Sequence, residues 1–281
     1  MNLFTAKPRK KKQLTKEVNS FSTPFRLTEI QAWVAQSIGK TRDQMEDAAY
    51  ALSLTSAAGE SHYTLGLFMV ADGMGGHQHG EVASTLAIQR VSGKLMQSVL
   101  EPLRLGQRTF QTAEISESLR EAFDSAQEAV LSQVPSGGTT LTLALVIDHQ
   151  LYFAHVGDSR LYLLEESEPL RQLTSDHSLV RRLAELGQIS AGESTNHPMR
   201  NVLFRALGQA EGFKADLGEL QLTGASTLLL CSDGLWGEVS DEGLGQVLSF
   251  EPGAEAVQSL IEQANAAGGN DNISAIVVRI A

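Results

Sequence analysis

Cysteine is nearly absent from this sequence, aromatic residues are few, and no apolar run is long. The one cysteine, Cys231, cannot close an internal disulfide, and no CxxC pair is present to hold zinc. A reducing, cytoplasmic setting is expected from that usage. No stretch approaches the roughly 18 consecutive apolar residues that a membrane-crossing helix needs. The N-terminus is basic but has no apolar h-region, so no secretory signal is read there. The chain also lacks G-x-S-x-G, H-E-x-x-H and G-x-x-x-x-G-K-[ST], leaving serine-hydrolase, zincin and P-loop chemistry without support. A cysteine phosphatase needs an arginine six positions beyond its nucleophile, and Gly237 stands there after Cys231.

Positive charge is scarce too, and unevenly placed. The 281 residues hold 22 Lys and Arg against 33 Asp and Glu, a formal net charge of -11. Six of the basic residues (Lys7, Arg9, Lys10, Lys11, Lys12 and Lys16) fall in the first 16 positions, which contain no acid. The remaining 16 basic residues therefore face all 33 acidic ones. A body that acidic repels nucleic-acid phosphates and suits divalent cations. Residues 1–25, Lys-rich and without periodicity, read as a flexible basic leader that is solvated or meets a membrane surface or partner. Residues 26–281 read as a single domain, and 42% hydrophobic content is enough for a sizeable core.

Strand patterning is expected at 30–37, 48–54, 65–71, 139–147, 151–156, 161–164, 227–231 and 273–280. Residues 65–71 (LGLFMVA) are apolar enough to be buried on both faces. Helical spacing marks 81–100, 113–134, 241–248 and 254–267, and residues 176–203 read as a mostly polar, interrupted helical stretch. Strands in runs, with helices before and after, argue for an α+β fold with mostly antiparallel sheets.

The acidic residues carry the chemical signal. Asp72, Asp158 and Asp233 each follow a strand pattern and stand beside glycine or a turn, Asp271 precedes the last strand, and Glu46-Asp47 precede the second. Any one of them alone is most simply a turn-forming carboxylate. Five such sites on strands sharing a sheet edge are harder to dismiss, because a buried carboxylate is costly unless paired, hydrogen-bonded or metal-bound. Hard oxygen donors in that number suit Mg²⁺ or Mn²⁺. In Asp72-Gly73-Met74-Gly75-Gly76, a cation could take the Gly73 carbonyl beside the Asp72 carboxylate.

Six motifs occur in order: Gly39-Lys-Thr-Arg42-Asp-Gln-Met-Glu46-Asp47, Asp72-Gly73-Met-Gly-Gly, Gly138-Thr139-Thr140, Gly157-Asp158-Ser159-Arg160, Ser232-Asp233-Gly234 and Asp271-Asn272. Together, across residues 28–281, they resemble the metal-dependent protein phosphatases of the type 2C family, in their bacterial form. The resemblance implies a four-layer α-β-β-α sandwich of two antiparallel sheets flanked by helices. It also implies a protein-serine/threonine phosphatase using a hydroxide activated by two Mg²⁺ or Mn²⁺ ions.

Carried over by motif, Asp72 and the Gly73 carbonyl, with Asp233 and Asp271, would hold the ion pair. Glu46 and Asp47 would hold metal-bound waters, and Asp158 with Asp233 would take a third ion. Arg42 would grip the substrate phosphate, making Arg42, Asp72 and Asp233 the catalytic set. Met74 stands where many eukaryotic members carry an acidic histidine, so the general acid stays unassigned. His77 and His79 are spaced differently, and the role is not transferred to them. Residues 174–208 match the family's flap, where Arg181, Arg182 and Arg200 could meet an acidic phosphopeptide. Within the flap, His177 reads as a structural hydrogen-bonding residue at its base. Phosphorylated proteins, a cognate Ser/Thr kinase among them, are the expected partners, with no nucleic acid and a monomeric state. The alternative is a catalytically weak regulatory or scaffold protein of the same fold, which a missing metal-site carboxylate would mark. A two-metal phosphodiesterase would bring metal-binding histidines, and these motifs have none.

Overall fold

The computed structural model describes residues 28–58, 61–74, 78–105, 110–189, 197–199, 201–210 and 213–281. The expected leader at 1–25, His77 and Arg200 lie outside them. Among the described residues twelve strands form in chain order: β1 (Ile30–Ser37), β2 (Ala48–Ala58), β3 (Ser61–Ala71), β4 (Gly73–Met74), β5 (Gly138–Thr139), β6 (Leu141–Ile147), β7 (Gln150–Val156), β8 (Arg160–Glu165), β9 (Arg171–Gln172), β10 (Asp216–Gln221), β11 (Ser226–Cys231) and β12 (Ile273–Ile280). One sheet runs β1-β12-β11-β8-β9 and the other β10-β7-β6-β3-β2, while β4 and β5 pair beside them.

Period-two burial explains the layering. Along β12, Ile276, Val278 and Ile280 point between the sheets, where Phe68, Val70, Ala144 and Leu230 also sit. Ile273, Ala275 and Val277 point the other way, onto Leu244, Leu248, Val257 and Leu260 of the helices Asp241–Phe250 and Gly253–Ala267. The second sheet repeats the scheme: Leu65, Leu67 and Met69 face Val91, Leu95, Leu119 and Phe123 of the helices Gln78–Leu95 and Thr112–Gln133. Each large side chain buried this way contributes roughly 1.5–3 kcal/mol. The result is the expected α+β architecture, four layers with three apolar seams.

Four expectations differ in detail. The helix read at 81–100 begins at Gln78 and gives way at Met96–Leu100 to a π-helical turn, followed by Glu101–Arg104. The strand read at 139–147 breaks at Thr140, whose amide donates to Asp72 O (2.9 Å) instead of a ladder partner. In the flap only Leu179–Glu185 is helical among the described residues. That helix stops at Gly187, which holds φ +68°, and Leu203 then pairs with Ser178 as an isolated bridge. Finally β10 (DLGELQ) was not expected, since a half-polar edge strand carrying a glycine has little periodic signal.

Candidate active site

Register places the carboxylates. In the first sheet Ser37 pairs with Ile273, and Cys231 pairs with both Ala275 and Arg160. The end of β1, the end of β11 and the starts of β8 and β12 therefore coincide. In the second sheet Ala71 pairs with Ala48 and Leu141 with Val156, which brings the end of β3, the start of β2 and the end of β7 together. Asp72, Asp158, Asp233, Asp271 and Glu46-Asp47 all leave from these ends.

They meet around a cavity of about 230 Å³. Arg42, Glu46, Asp72, Gly73, Asp158, Asp233 and Asp271 line it, joined by Met74, Thr140, Asn201, Leu203 and Asn272. Asp47 is the exception among the expected residues. It sits behind the wall, accepting a hydrogen bond from Ser232 Oγ at 2.7 Å.

The main chain around the cavity is tied down by residues to which the motifs had given no individual role. Asn272 is the strongest clamp: its Oδ1 accepts from the Glu46 amide (2.6 Å), while its Nδ2 donates to Ile38 O and Gln44 O (3.0 and 2.9 Å). Thr140 holds Asp72 from both sides, since the Asp72 amide donates to its Oγ1 and its own amide donates to Asp72 O, each at 2.9 Å. Ser84 Oγ donates to Glu46 O (2.6 Å). Trp236 Nε1 donates to Asp158 O at 2.9 Å, with the Arg160 guanidinium 3.6 Å above its ring. Arg160 is itself committed, forked onto Asp176 at 2.7 and 3.0 Å. Asn272, Arg160 and Trp236 stand within three positions of a motif carboxylate, whereas Thr140 and Ser84 are far from any in sequence.

The electrostatics call for cations. Burial, then the charges of Asp47, Asp233, Asp158 and Asp271, hold the Asp72 carboxyl well above the usual range. Burial and then Asp233 do the same to Asp158. Asp233 is pushed up to about 6 by burial and the nearby Asp271. Asp47 reaches about 7, where burial outweighs its hydrogen bonds from Ser232 and Ser274. Against these the described lining supplies one cationic side chain: Arg42 Nη2 donates to Asp271 Oδ2 at 2.7 Å, and Nη1 stands 3.7 Å from Glu46.

Glu46 Oε1, Asp47 Oδ1 and Asp233 Oδ1 are buried with no hydrogen-bond partner. A buried, unpartnered carboxylate oxygen is costly unless a positive group completes it. Among the described residues no three acidic, histidine or cysteine side chains converge into one ready cage. An all-oxygen, anionic donor set of this kind fits hard divalent ions.

Other candidates fall into place. Cys231 is wholly buried, and burial raises its thiol far above the reactive range. His79 lies exposed on the helix Gln78–Leu95. His177 is buried and hydrogen-bonded at the flap base, as the structural reading expects. Arg181 and Arg182 are exposed and both pair with Glu185.

An α-β-β-α sandwich with an acidic, oxygen-lined cavity and one arginine at its mouth has the form of a metal-dependent phosphatase. The model of the protein phosphatase 2C family matches residues 32–273, and the chain belongs to that family. It is 36% identical to the serine/threonine phosphatase stp of Listeria monocytogenes over 219 residues, covering 75% of this chain and 83% of that protein. It is 32% identical to the protein phosphatase PhpP of Streptococcus pneumoniae, covering 86% and 94%. Among solved structures it resembles the catalytic domain of the serine threonine protein phosphatase PstP in complex with two manganese ions. That match has a TM-score of 0.72 and 30% identity, covering 90% of this chain and 99% of that one.

Proposed function

We propose that this protein is a metal-dependent serine/threonine phosphatase that hydrolyses phosphoserine and phosphothreonine in proteins. The observation that carries the reading is the ring of carboxylates with orphaned buried oxygens around a cavity whose described lining holds one cationic side chain, Arg42. Asp72, Asp233, Asp271 and the Gly73 carbonyl would hold two divalent cations, with Glu46 and Asp47 supporting their water ligands and Asp158 with Asp233 taking a third. Such ions, Mn²⁺ or Mg²⁺, supply a water of lowered pKa and offset phosphate charge.

The chain's own contribution is positioning. Asn272, Thr140 and Trp236 fix the main chain at Glu46, Asp72 and Asp158, so the carboxylates do not reorganise as charge moves. Arg42, half exposed, uses one hydrogen-bond donor on Asp271 and keeps others for phosphate oxygens. Met74 lines the wall and carries no proton to give. The scaffold alternative has no observation in its favour, because every carboxylate of the set is present. We further propose a cognate Ser/Thr kinase and its substrates as partners, and a cytoplasmic site of action. The partner reading rests on membership of the family, and the single buried cysteine supports the site of action. No described helix is long and apolar enough to cross a membrane.

Hydrolysis of a phosphothreonine peptide is expected to vanish in excess chelator and to return with Mn²⁺ or Mg²⁺. Full turnover in EDTA, measured as released phosphate, would sink the reading. Arg42→Ala is expected to raise KM and lower kcat together, by about 10²-fold in kcat/KM. Arg42→Lys should restore little, since an ammonium lacks the planar fork. Unchanged steady-state constants in Arg42→Ala would remove Arg42 from phosphate binding.

A further inference from the structure

Away from the carboxylate cavity, a buried polar cluster joins the two limbs of the flap to β10 and to the turn before Asp158. His177 is 3% exposed and stands at its centre. The Gly157 amide donates to His177 Nδ1 (3.1 Å), and the His177 amide donates back to Gly157 O (2.7 Å). On the far side of the ring, Nε2 donates to Asp216 Oδ2 at 2.9 Å. Asp216 Oδ1 accepts from Arg205 Nη1 at 3.0 Å, and the Phe204 amide donates to His177 O at 2.9 Å. The rings of His155 and Phe204 stand on either side, 4.9 and 5.6 Å away.

An Nδ1 that accepts and an Nε2 that donates define the neutral Nε2–H tautomer. Burial lowers the pKa of this ring, in keeping with that state. The imidazole therefore reads as a spacer with Nδ1 on Gly157 and Nε2 on Asp216, the Arg205 guanidinium standing 3.3 Å from Nε2 as it reaches the same carboxylate. Gly157 has little room to move: it holds φ +109°, and a Cβ there would lie 2.5 Å from the side chain of Thr140. The next residue is Asp158, whose carbonyl is pinned by Trp236 while its buried carboxylate is repelled by Asp233. A carboxylate held against repulsion depends on its main chain staying put. The flap contributes Asn201 and Leu203 to the cavity wall, and its returning limb continues into Phe204 and Arg205.

We propose that His177 is a positioning residue that fixes Gly157 and, through it, the Asp158 carboxylate. Asp216 and Arg205 make that hold depend on the two flap limbs being together. The proposal rests on the assignment of Asp158, with Asp233, to a third cation. It makes the outermost cation position sensitive to the flap, so that whatever docks on the flap also tunes the affinity of that position. A ligand set by an outer hydrogen bond in this way is a recurrent device of metal sites.

The test titrates metal-free protein with Mn²⁺ by calorimetry and separates tight from weak binding without any turnover. His177→Asn keeps an acceptor where Nδ1 stood and loses the bond to Asp216. His177→Gln keeps a donor where Nε2 stood and loses the acceptor for Gly157. The weak phase should loosen by about tenfold or more in His177→Gln and stay within about threefold of wild type in His177→Asn. The tight phase should be unchanged in both. Asp216→Ala, at a half-exposed position where folding should survive, should loosen the weak phase by about threefold.

A folded His177→Gln with wild-type weak affinity, or equal losses in the Gln and Asn variants, overturns the proposal. Should His177→Gln fail to fold by circular dichroism, an unaltered weak phase in Asp216→Ala overturns it instead. Asp158→Ala separates the two layers. If it leaves the weak phase intact, the cation assignment of Asp158 falls and this proposal with it. If it removes the weak phase while His177→Gln retains it, only the positioning role falls.

Discussion

Asp72→Asn is expected to abolish turnover and, in the metal-free protein, to raise the melting temperature. The loss should reach at least about 10³-fold, since the change removes charge where cations and phosphate must be held. The gain follows from burial and four neighbouring carboxylates, which together raise the Asp72 pKa. A carboxyl whose folded pKa lies above its unfolded value costs nothing below the unfolded value. Its penalty on folding grows as pH rises through the folded value. The window opens at the ordinary value of 3.8 and closes at the folded values, about 6 for Asp233 and about 7 for Asp47.

Metal-free wild type should therefore lose melting temperature from about pH 4 to about pH 8, and Asp72→Asn should lose less. Saturating Mn²⁺ should reverse the order, because the wild type gains binding free energy that the variant lacks. Scanning calorimetry across that range, with chelator and with Mn²⁺, checks each limb. A flat metal-free profile, or a variant less stable than wild type at the alkaline end, contradicts the electrostatic account.

Gly234→Ala is expected to damage fold and site together. A Cβ at Gly234 would stand 2.1 Å from Asn272 O and 2.9 Å from its carbonyl carbon, so two stretches of backbone must part. Asn272 also accepts from the Glu46 amide and follows Asp271, while Gly234 follows Asp233. Three cavity carboxylates thus shift with one methyl group. Overpacking of this kind costs about 1–3 kcal/mol or more, and each kcal/mol lowers the melting temperature of a domain this size by about 2–4 °C. Displacing the reacting groups should lower kcat by about 10²-fold. Gly93→Ala is the matched control, since a Cβ there meets nothing within 4 Å on the helix Gln78–Leu95. It should stabilise by about 0.5–1 kcal/mol with full activity. Equal melting temperatures for the two variants would refute the close-approach argument.

What could be read from the sequence was whatever one residue declares for itself. LGLFMVA and ISAIVVRI declare strands, and the successive apolar residues of LGLFMVA require partners on both faces. Asp72, Asp158 and Asp233 declare a site, because each ends such a strand beside a glycine or a turn. What stayed hidden depends on relations between distant residues. The clamp by Asn272 needs Glu46 brought within 2.6 Å across 226 positions, and an asparagine after an aspartate says nothing of that. The motif that pairs Glu46 with Asp47 does not show that only Glu46 lines the cavity, while Asp47 turns to Ser232. β10 owes its place to the ladder with β7, in which Asp216 pairs with His155, rather than to its own half-polar residues.

The position of β12 bears on when the enzyme comes to life during synthesis. It lies between β1 and β11, pairs with β1 along all eight residues from Ile30↔Ile280 to Ser37↔Ile273, and follows the other strands in chain order. Until it emerges from the ribosome, β1 and β11 have no common neighbour, the seam between the sheets is open, and Asp271 and Asn272 are missing from the cavity. Closing such a long loop is slow and comes late. A nascent chain is therefore expected to hold no competent catalytic centre, so the enzyme gains its activity in one step when its final strand docks.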